Sequence, residues 1–347
     1  MNQAARVPRG KPTIHDVASA AGVSPATVSR VINHAAGASP SIRTRVRVVA
    51  AELGYQPNAT ARALATGRTR TIEMIITDSC NGGWLGAHPH YGRVLAGAMS
   101  ALEGTGTQLR IHALTPDRAE AAIDALAADA TVGALLANVT PELAIRYYLR
   151  CRRVISLVPT APAVPALEVD NIAAVRTAIS HLHRLGRRRI AAIHGPAANS
   201  CAAQRRDGYR SAITDLGLPE LSADGGFCRN GGHDAARELL ERHPEIDAMF
   251  VTCDLMAAGA IQAITATGRR IPEDVAVVGF DDSIAAICTN PPLSTMRLPV
   301  EQMAADAIRI LMDGGPGFGF RRFYPVDLIL RESAPDRSPA PTLRPPT

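Results

Sequence analysis

The stretch TIHDVASAAGVSPATVSRVIN, residues 13–33, reads as two short helices joined by a tight turn. Thr13 and Asp16 stand at capping-box spacing: the Thr13 hydroxyl can accept from the amide three residues on, and the Asp16 carboxylate can reach back to the Thr13 amide. A helix therefore starts at Ile14. Its apolar positions Ile14, Val17, Ala18 and Ala21 follow helical spacing, and Gly22 supplies a residue able to take the left-handed conformation that ends it. Ser24 is then a good N-cap and Pro25 a good first helical residue, opening a second helix through Thr27, Val28, Ser29, Arg30, Val31 and Ile32. A third begins at Ser39-Pro40, with Val46, Val49, Ala50 and Leu53 as its inward stripe, Arg43, Arg45 and Arg47 in solvent, and Gly54 as its end. This order predicts an all-α helix-turn-helix head whose second helix enters the major groove of double-stranded DNA.

Charge supports a polyanionic partner. Through Arg70 ten basic residues (Arg6, Arg9, Lys11, Arg30, Arg43, Arg45, Arg47, Arg62, Arg68 and Arg70) oppose only Asp16 and Glu52, a balance of +8. The whole chain carries +5, so the remainder is −3. A basic head on a mildly acidic body suits a polyanion at one end, whether DNA, RNA or an anionic membrane, and a separate task at the other. At 347 residues the chain has room for both. No uncharged apolar run approaches the roughly 18 residues that would span a membrane. The basic arm, residues 1–12, lacks the apolar core of a secretory signal, which makes the cytoplasm, with its nucleoid, the expected location. Six scattered cysteines without C-x-x-C spacing are expected to be reduced and mostly buried, with no zinc site.

The run from Thr13 to Ala65, including Ala26-Thr27-Val28-Ser29-Arg30-Val31-Ile32-Asn33 and Gly54-Tyr55-Gln56-Pro57-Asn58, closely resembles the head of the lactose-repressor (LacI) family. The resemblance implies a helix-turn-helix domain over 13–57, then a hinge helix and linker over 58–70. Within the hinge, Asn58 and Ala61 are expected at the DNA, and Leu64 stands where the family inserts a leucine into the minor groove. A helix of about eight residues is too short to persist alone in water, so DNA and a partner chain would have to order it. The alternative for Leu64 is an ordinary core position. At the start of the recognition helix Pro25 and Ala26 have no side-chain donor and can read only shape and methyl groups. Arg30 is a candidate bidentate partner of guanine, or else a phosphate ligand. Thr13, Ser24, Thr27, Ser29 and Asn33 are expected to bind phosphates or brace the turn. One head covers one half-site, which implies a homodimer on a pseudo-palindromic operator.

Beyond Arg70, short apolar runs alternate with alanine-rich amphipathic stretches, the pattern of parallel strands with crossover helices. Strands are expected at Thr71–Thr77, Gly133–Leu136, Arg153–Val158, Ile190–His194, Ala248–Thr252 and Val275–Phe280. Helices are expected at Arg93–Glu103, Arg118–Asp129, Ile172–Leu185, Gln204–Leu216, Gly232–Arg242 and Leu255–Thr267. Val169-Asp170-Asn171, Arg205-Arg206-Asp207-Gly208-Tyr209, Ile271-Pro272-Glu273-Asp274-Val275, Gly279-Phe280-Asp281-Asp282 and Leu330-Arg331-Glu332-Ser333 resemble the effector domain of the same family, itself similar to periplasmic sugar-binding proteins. The resemblance implies an α/β periplasmic-binding-protein-like body, 71–334, of two doubly wound subdomains (about 71–169 with 298–324, and about 170–297 with 325–334), ahead of a proline-rich tail, 335–347. A small-molecule effector, a sugar or sugar derivative, would bind between them at the carboxyl ends of the strands.

Carried over position by position, Arg205 and Asp281 are the expected effector ligands and Phe227 the aromatic that stacks on the ring. A charged fork, a carboxylate and a flat apolar face suit a polyhydroxylated molecule. The plainer alternative is that Arg205 and Asp281 only pair with each other or cap helices. Asp78, Cys253 and Asp254 join the expected effector-binding residues, although Cys253-Asp254 departs from the family's asparagine–aspartate pair and a thiol is a weak hydrogen-bonding group. After Asp78, an insertion over Ser79–Ala87 containing Trp84 precedes His88-Pro89-His90-Tyr91. It either shapes the pocket mouth, with His90, Tyr91 and Trp84 facing ligand, or is a surface flap. His88 and His90 have no third ligand at a supporting spacing for a metal.

Enzyme chemistry is disfavoured. Lys11 is the only lysine, which removes a P-loop lysine and a Schiff base in the body, and no cofactor is implied. Adjacent Asp281 and Asp282 on a strand end point to opposite faces, a poor arrangement for two carboxylates across one bond. A sugar-binding transport component fits the body but not the basic head. The expectation is an effector-controlled repressor.

Overall fold

The structure, a computed structural model, describes residues 12–32, 37–55, 70–77, 88–115 and 118–336. The chain divides into two compact units, Met1–Thr69 and Arg70–Thr347.

In the first unit, α1 (Ile14–Ala21) opens on a complete capping box: the Thr13 amide donates to Asp16 Oδ2 at 2.7 Å, and the Asp16 amide donates to Thr13 Oγ1 at 3.4 Å. Gly22 closes it at φ +62°. The Val23 amide then donates to the Ala18 carbonyl at 3.0 Å, so the chain turns sharply into α2 (Pro25–Ile32). Ser24 Oγ accepts from the Thr27 amide at 3.2 Å. α3 (Pro40–Glu52) is capped by Ser39. Val17, Ala18, Ala21, Val28, Val31, Val46 and Ala50 form a core small enough that each methyl group counts. One expectation is corrected: Arg43 is half-buried, because its Nε donates to the Ala38 carbonyl at 3.2 Å and ties the start of α3 to the preceding loop.

The second unit holds two six-stranded sheets. The first takes β1 (Thr71–Thr77), β2 (Gln108–Leu114), β3 (Gly133–Leu136), β4 (Val154–Ser156), β5 (Ala166–Val169) and, late in the chain, β11 (Arg321–Tyr324). Their order is β11-β5-β4-β3-β1-β2, parallel throughout. Helices α4 (Pro89–Leu102), α5 (Ala119–Asp129), α6 (Pro141–Arg150) and α12 (Val300–Met312) accompany this sheet. The second comprises β6 (Ile190–His194), β7 (Leu221–Asp224), β8 (Ala248–Val251), β9 (Ala276–Asp281), β10 (Ser294–Arg297) and β12 (Asp327–Ile329), ordered β12-β10-β9-β8-β6-β7. Only β12 runs antiparallel to its neighbour. Its helices are α7 (Asn171–Arg184), α8 (Ser200–Asp215), α9 (Arg229–Arg242), α10 (Asp254–Ala266) and the short α11 (Ile284–Cys288).

β3, β8 and β9 are buried along their whole length, as strands covered by helices on both faces must be, which is why β3 and β8 read as unbroken apolar runs and β9 does so up to Phe280, before its terminal Asp281. The chain passes between the sheets three times, after Val169, after Arg297 and after Tyr324. Among the described residues no helix is long and apolar enough to cross a membrane. The cysteines need a correction: Cys151 and Cys253 are buried, but Cys201 and Cys228 are half-buried and Cys288 is exposed. Cys80 and the tail beyond Asp336 lie outside the described residues.

Candidate functional site

On α2 the inward positions are Val28 and Val31, which leaves Ala26 and Arg30 exposed on the opposite side and Pro25, Thr27 and Ser29 half-buried. Ser24 and Thr27 are engaged with each other, hydroxyl to hydroxyl, at 2.9 Å. The Thr13 hydroxyl donates to Asp16 at 2.7 Å, and these bonds from Thr13 hold the Asp16 carboxyl below the usual range. Ser24, Thr27 and Thr13 thus brace the motif, while Arg30 is the long polar side chain on its open face. Asn33, Asn58, Ala61 and Leu64 lie outside the described residues.

In the second unit a polar cluster forms where strands end. Arg205 lies on the inward stripe of α8 with Ala202, Tyr209 and Ala212, and only 5% of it is exposed. A guanidinium this deep needs partners. Its Nε donates to Asn171 Oδ1 at 2.9 Å, its Nη1 donates to the Thr252 carbonyl at 2.7 Å, and its carbon sits 3.6 Å from the centre of the Phe280 ring. Its nearest carboxylate oxygen is Asp281 Oδ1 at 3.9 Å, too long for a hydrogen bond. Asp281 is 6% exposed, and among the described residues its carboxylate accepts no hydrogen bond, although its backbone carbonyl accepts from Arg93 Nη1 at 2.5 Å. Burial pushes its carboxyl pKa upward, against the opposing pull of Arg205 and Arg93. A buried carboxylate and a buried guanidinium that face each other without closing a bond keep acceptor and donor capacity that a hydroxyl-bearing ligand can engage.

The other expected ligands are placed unequally. Phe227 adopts φ +60° and lies against Gly195, where a Cβ would stand 2.3 Å from its ring, so the glycine after β6 makes space for the aromatic. His90 and Tyr91 open α4 with their rings 5.4 Å apart. Burial, reinforced by His88, Arg205 and Arg93, holds His90 down to about 3, so it is a neutral imidazole beside the arginines. Cys253 is buried, and burial raises its thiol. Asp254 stands behind the Asp281 turn rather than before it: Oδ1 accepts from Thr295 Oγ1 at 2.6 Å and Oδ2 from the Ser283 amide at 2.7 Å. Burial, and then Asp281, raise its pKa. Asp78 lies outside the described residues, as does the Ser79–Ala87 insertion.

Several residues of the cluster escaped sequence reasoning. Asn171 orients Arg205, and its place in the Val169-Asp170-Asn171 motif was an available signal. Asn199 caps α8 through the Ala202 amide at 2.9 Å, and its side-chain nitrogen donates to Asn138 Oδ1. Asn138, at φ +62°, donates in turn to the Thr77 carbonyl at 3.1 Å and to the Tyr91 hydroxyl at 3.2 Å. A polar bridge therefore links a loop after β3 in the first sheet to the loop after β6 in the second. A groove of about 680 Å³ lies elsewhere, against α10 and α11; Gln262, Ala285, Cys288 and Asn290 are in its wall, which carries no charged side chain to orient a polar ligand. Among the described residues no group of three or more His, Cys, Asp or Glu is arranged to hold a metal ion.

Residues 13–58 match the model of bacterial regulatory proteins of the lacI family, and residues 179–334 that of a periplasmic binding protein-like domain. The transcriptional regulator CelR of Thermobifida fusca is 36% identical over 338 residues, covering 93% of this chain and 96% of that protein. A CelR–cellobiose complex superposes with a TM-score of 0.69 at 34% identity, over 93% of this chain and 99% of that one. The lac repressor dimer bound to operator and an anti-inducer superposes with a TM-score of 0.70 at 26% identity, over 94% of this chain and all of that one. A helix-turn-helix first unit, a binding-protein-like second unit and relatives that match both together make this chain a member of the LacI family of bacterial regulatory proteins, a DNA-binding transcriptional regulator and not an enzyme.

Proposed function

We propose that the chain is a dimeric repressor that binds a pseudo-palindromic operator and is controlled by a carbohydrate held at the Arg205–Asp281 cluster, in the cytoplasm where its DNA is. The observation that carries the reading is the buried pair of Arg205 and Asp281, 3.9 Å apart and unclosed. Ligand hydroxyls donate to the Asp281 carboxylate and accept from Arg205, while Phe227 offers the ring face that sugars stack on. His90, Tyr91 and Asn138 serve the same ligand from the first sheet. Cellobiose is the first sugar to try, because the CelR relative has been solved with it.

The head, residues 13–57, reads DNA through Arg30 and the surface of Pro25 and Ala26, with Leu64 of the 58–70 hinge at the minor groove. Sugar binding changes operator affinity because the sugar binds the two arrangements of the body unequally. Titration calorimetry with a sugar panel, cellobiose first, is the test for the body, and gel shift on the DNA upstream of its own gene is the test for the head. Saturable sugar binding that Asp281→Ala removes, with a salt-sensitive shift that the sugar alters, is the expected result. Absent or salt-insensitive DNA binding would overturn it.

A further inference from the structure

We propose that Arg93 is a positioning residue that sets the Asp281 turn from the helices of the first sheet, so that one guanidinium couples effector occupancy to the packing of α4 on α12; this rests on Asp281 being an effector ligand. Arg93, one turn into α4, makes four hydrogen bonds to three residues, Glu301, Leu298 and Asp281. Its Nε and Nη2 grip the two oxygens of Glu301, at the start of α12, at 2.5 and 2.6 Å. Nη2 also donates to the Leu298 carbonyl at 2.8 Å, in the crossover between sheets, and Nη1 donates to the Asp281 carbonyl at 2.5 Å, at the end of β9. A planar fork can hold a carboxylate and two carbonyls at once, which a lysine cannot.

A second observation meets at Glu301. Gly97, one turn beyond Arg93 on α4, has no room for a side chain: a Cβ there would lie 2.1 Å from the Glu301 carbonyl oxygen. The two helices therefore touch backbone to backbone, and this contact fixes the reach from Arg93 to Glu301.

The third observation is the turn itself. Asp281 and Asp282 adopt φ +119° and +56°, conformations that residues with a Cβ avoid and keep only when their surroundings hold them. Asp282 is held by Arg297 and Arg331, each at 2.6 Å, and Ser283 by Asp254. All of those groups belong to the second sheet or the segments beside it. Asp281 alone is held from the first sheet's side, through a carbonyl that also accepts from the Leu298 amide at 3.3 Å. Any shift of α4 and α12 against the second sheet must carry the Asp281 carbonyl along or break the Arg93 bonds. Either way the carboxylate is re-aimed relative to Arg205.

The full-length chain with Arg93→Gln, Arg93→Lys and the double change Arg93→Gln/Glu301→Gln tests this, with hydrogen exchange of segments 281–298 and 248–251 and with cellobiose as the probe sugar. In Arg93→Gln, exchange over 281–298 should accelerate while β8 stays as protected as before. Cellobiose should bind about 10- to 100-fold more weakly, the loss expected for a charged hydrogen bond to a buried carbonyl. Arg93→Lys should fall between, and the double variant should be no worse than Arg93→Gln, because the two side chains act as one clamp. Unchanged exchange over 281–298 would overturn the proposal. So would a uniform rise that includes β8, since that is loss of general stability. If the wild-type chain ignores cellobiose while the exchange pattern appears as described, the clamp stands and the choice of sugar fails.

Discussion

On α2 the side chains that face outward, Ala26 and Arg30, are exposed, and their neighbours Ser24 and Thr27 are bonded within three residues of each other. In the second unit Arg205 is oriented by Asn171 and Thr252, which lie 34 and 47 residues away in the chain. The two surfaces solve different problems. A DNA-reading helix can keep its charge in water until the partner arrives, since phosphates supply the attraction over a distance. A sugar offers only hydroxyls and ring faces, so its site must remove water and present buried, fixed charges. The head is therefore a local construction with an open face, and the Arg205–Asp281 cluster a long-range one.

The strongest test of that contrast is Arg205→Met. Removing one member of a buried charged pair costs about 3–5 kcal/mol when the other is left alone. Sugar affinity should fall more than about 100-fold by calorimetry, while operator affinity without sugar stays within about twofold, as expected for a change confined to the other unit. Equal loss of both would mean that Arg205 holds up the fold instead.

Arg30→Ala should give the reverse pattern and a smaller effect. Loss of a bidentate guanine contact costs about 1–3 kcal/mol and relaxes discrimination at one base pair, whereas loss of a phosphate contact weakens all sequences alike and lowers the salt slope by about one. Fluorescence anisotropy on operators mutated base by base, at two salt concentrations, separates these. Sugar binding should be untouched in either case.

The same contrast explains what could be read in advance. The starts of α1, α2 and α3 were legible because Thr13, Ser24 and Ser39 cap them within three residues. β1, β3 and β6 were legible as apolar runs with the observed limits, Thr71–Thr77, Gly133–Leu136 and Ile190–His194. β11, Arg321-Arg322-Phe323-Tyr324, carries no such signal: it is a strand because β5, more than 150 residues earlier, supplies the other half of its ladder. α4 and α8 begin four residues before the expected Arg93 and Gln204, at Pro89 and Ser200, since His88 and Asn199 serve as caps. The family pattern singled out Arg205 and Asp281, which the fold brings into one cluster, but it could not reveal Arg93, whose carboxylate partner is 208 residues away, or the Asn138–Asn199 bridge.

Acidity should separate the stability of the body from its sugar affinity by sign. Burial raises the Asp281 pKa from 3.8 to about 6, so the folded chain favours its protonated form, and whatever stability this residue contributes is present at low pH and lost as pH rises through that window. A sugar hydroxyl donates to the ionised form, so sugar affinity should move the other way and fall as pH drops from 7.5 to 5.5, by up to about tenfold per unit below the pKa. Calorimetry across that range checks the affinity. For the unliganded chain, Asp281→Asn should be the more stable form at pH 7.5, and the gap in Tm should narrow toward pH 5.5. A gap that widens would mean that Asp281 is stabilised in its charged form.

The smallest effect belongs to the head. Gly22 sits at φ +62° with nothing within 4 Å of where a Cβ would stand, so Gly22→Ala meets no clash and suffers only from its backbone conformation. That conformation costs an alanine about 1 kcal/mol relative to glycine. For a domain of this size such a loss lowers Tm by about 4–8 °C. Calorimetric scans should show the transition of the head moving down by that amount while the transition of the body stays in place. Operator affinity at low temperature should be preserved, because α2 keeps its own cap at Ser24 and its exposed face. A much larger fall, or loss of DNA binding in a folded head, would mean that the turn touches DNA itself.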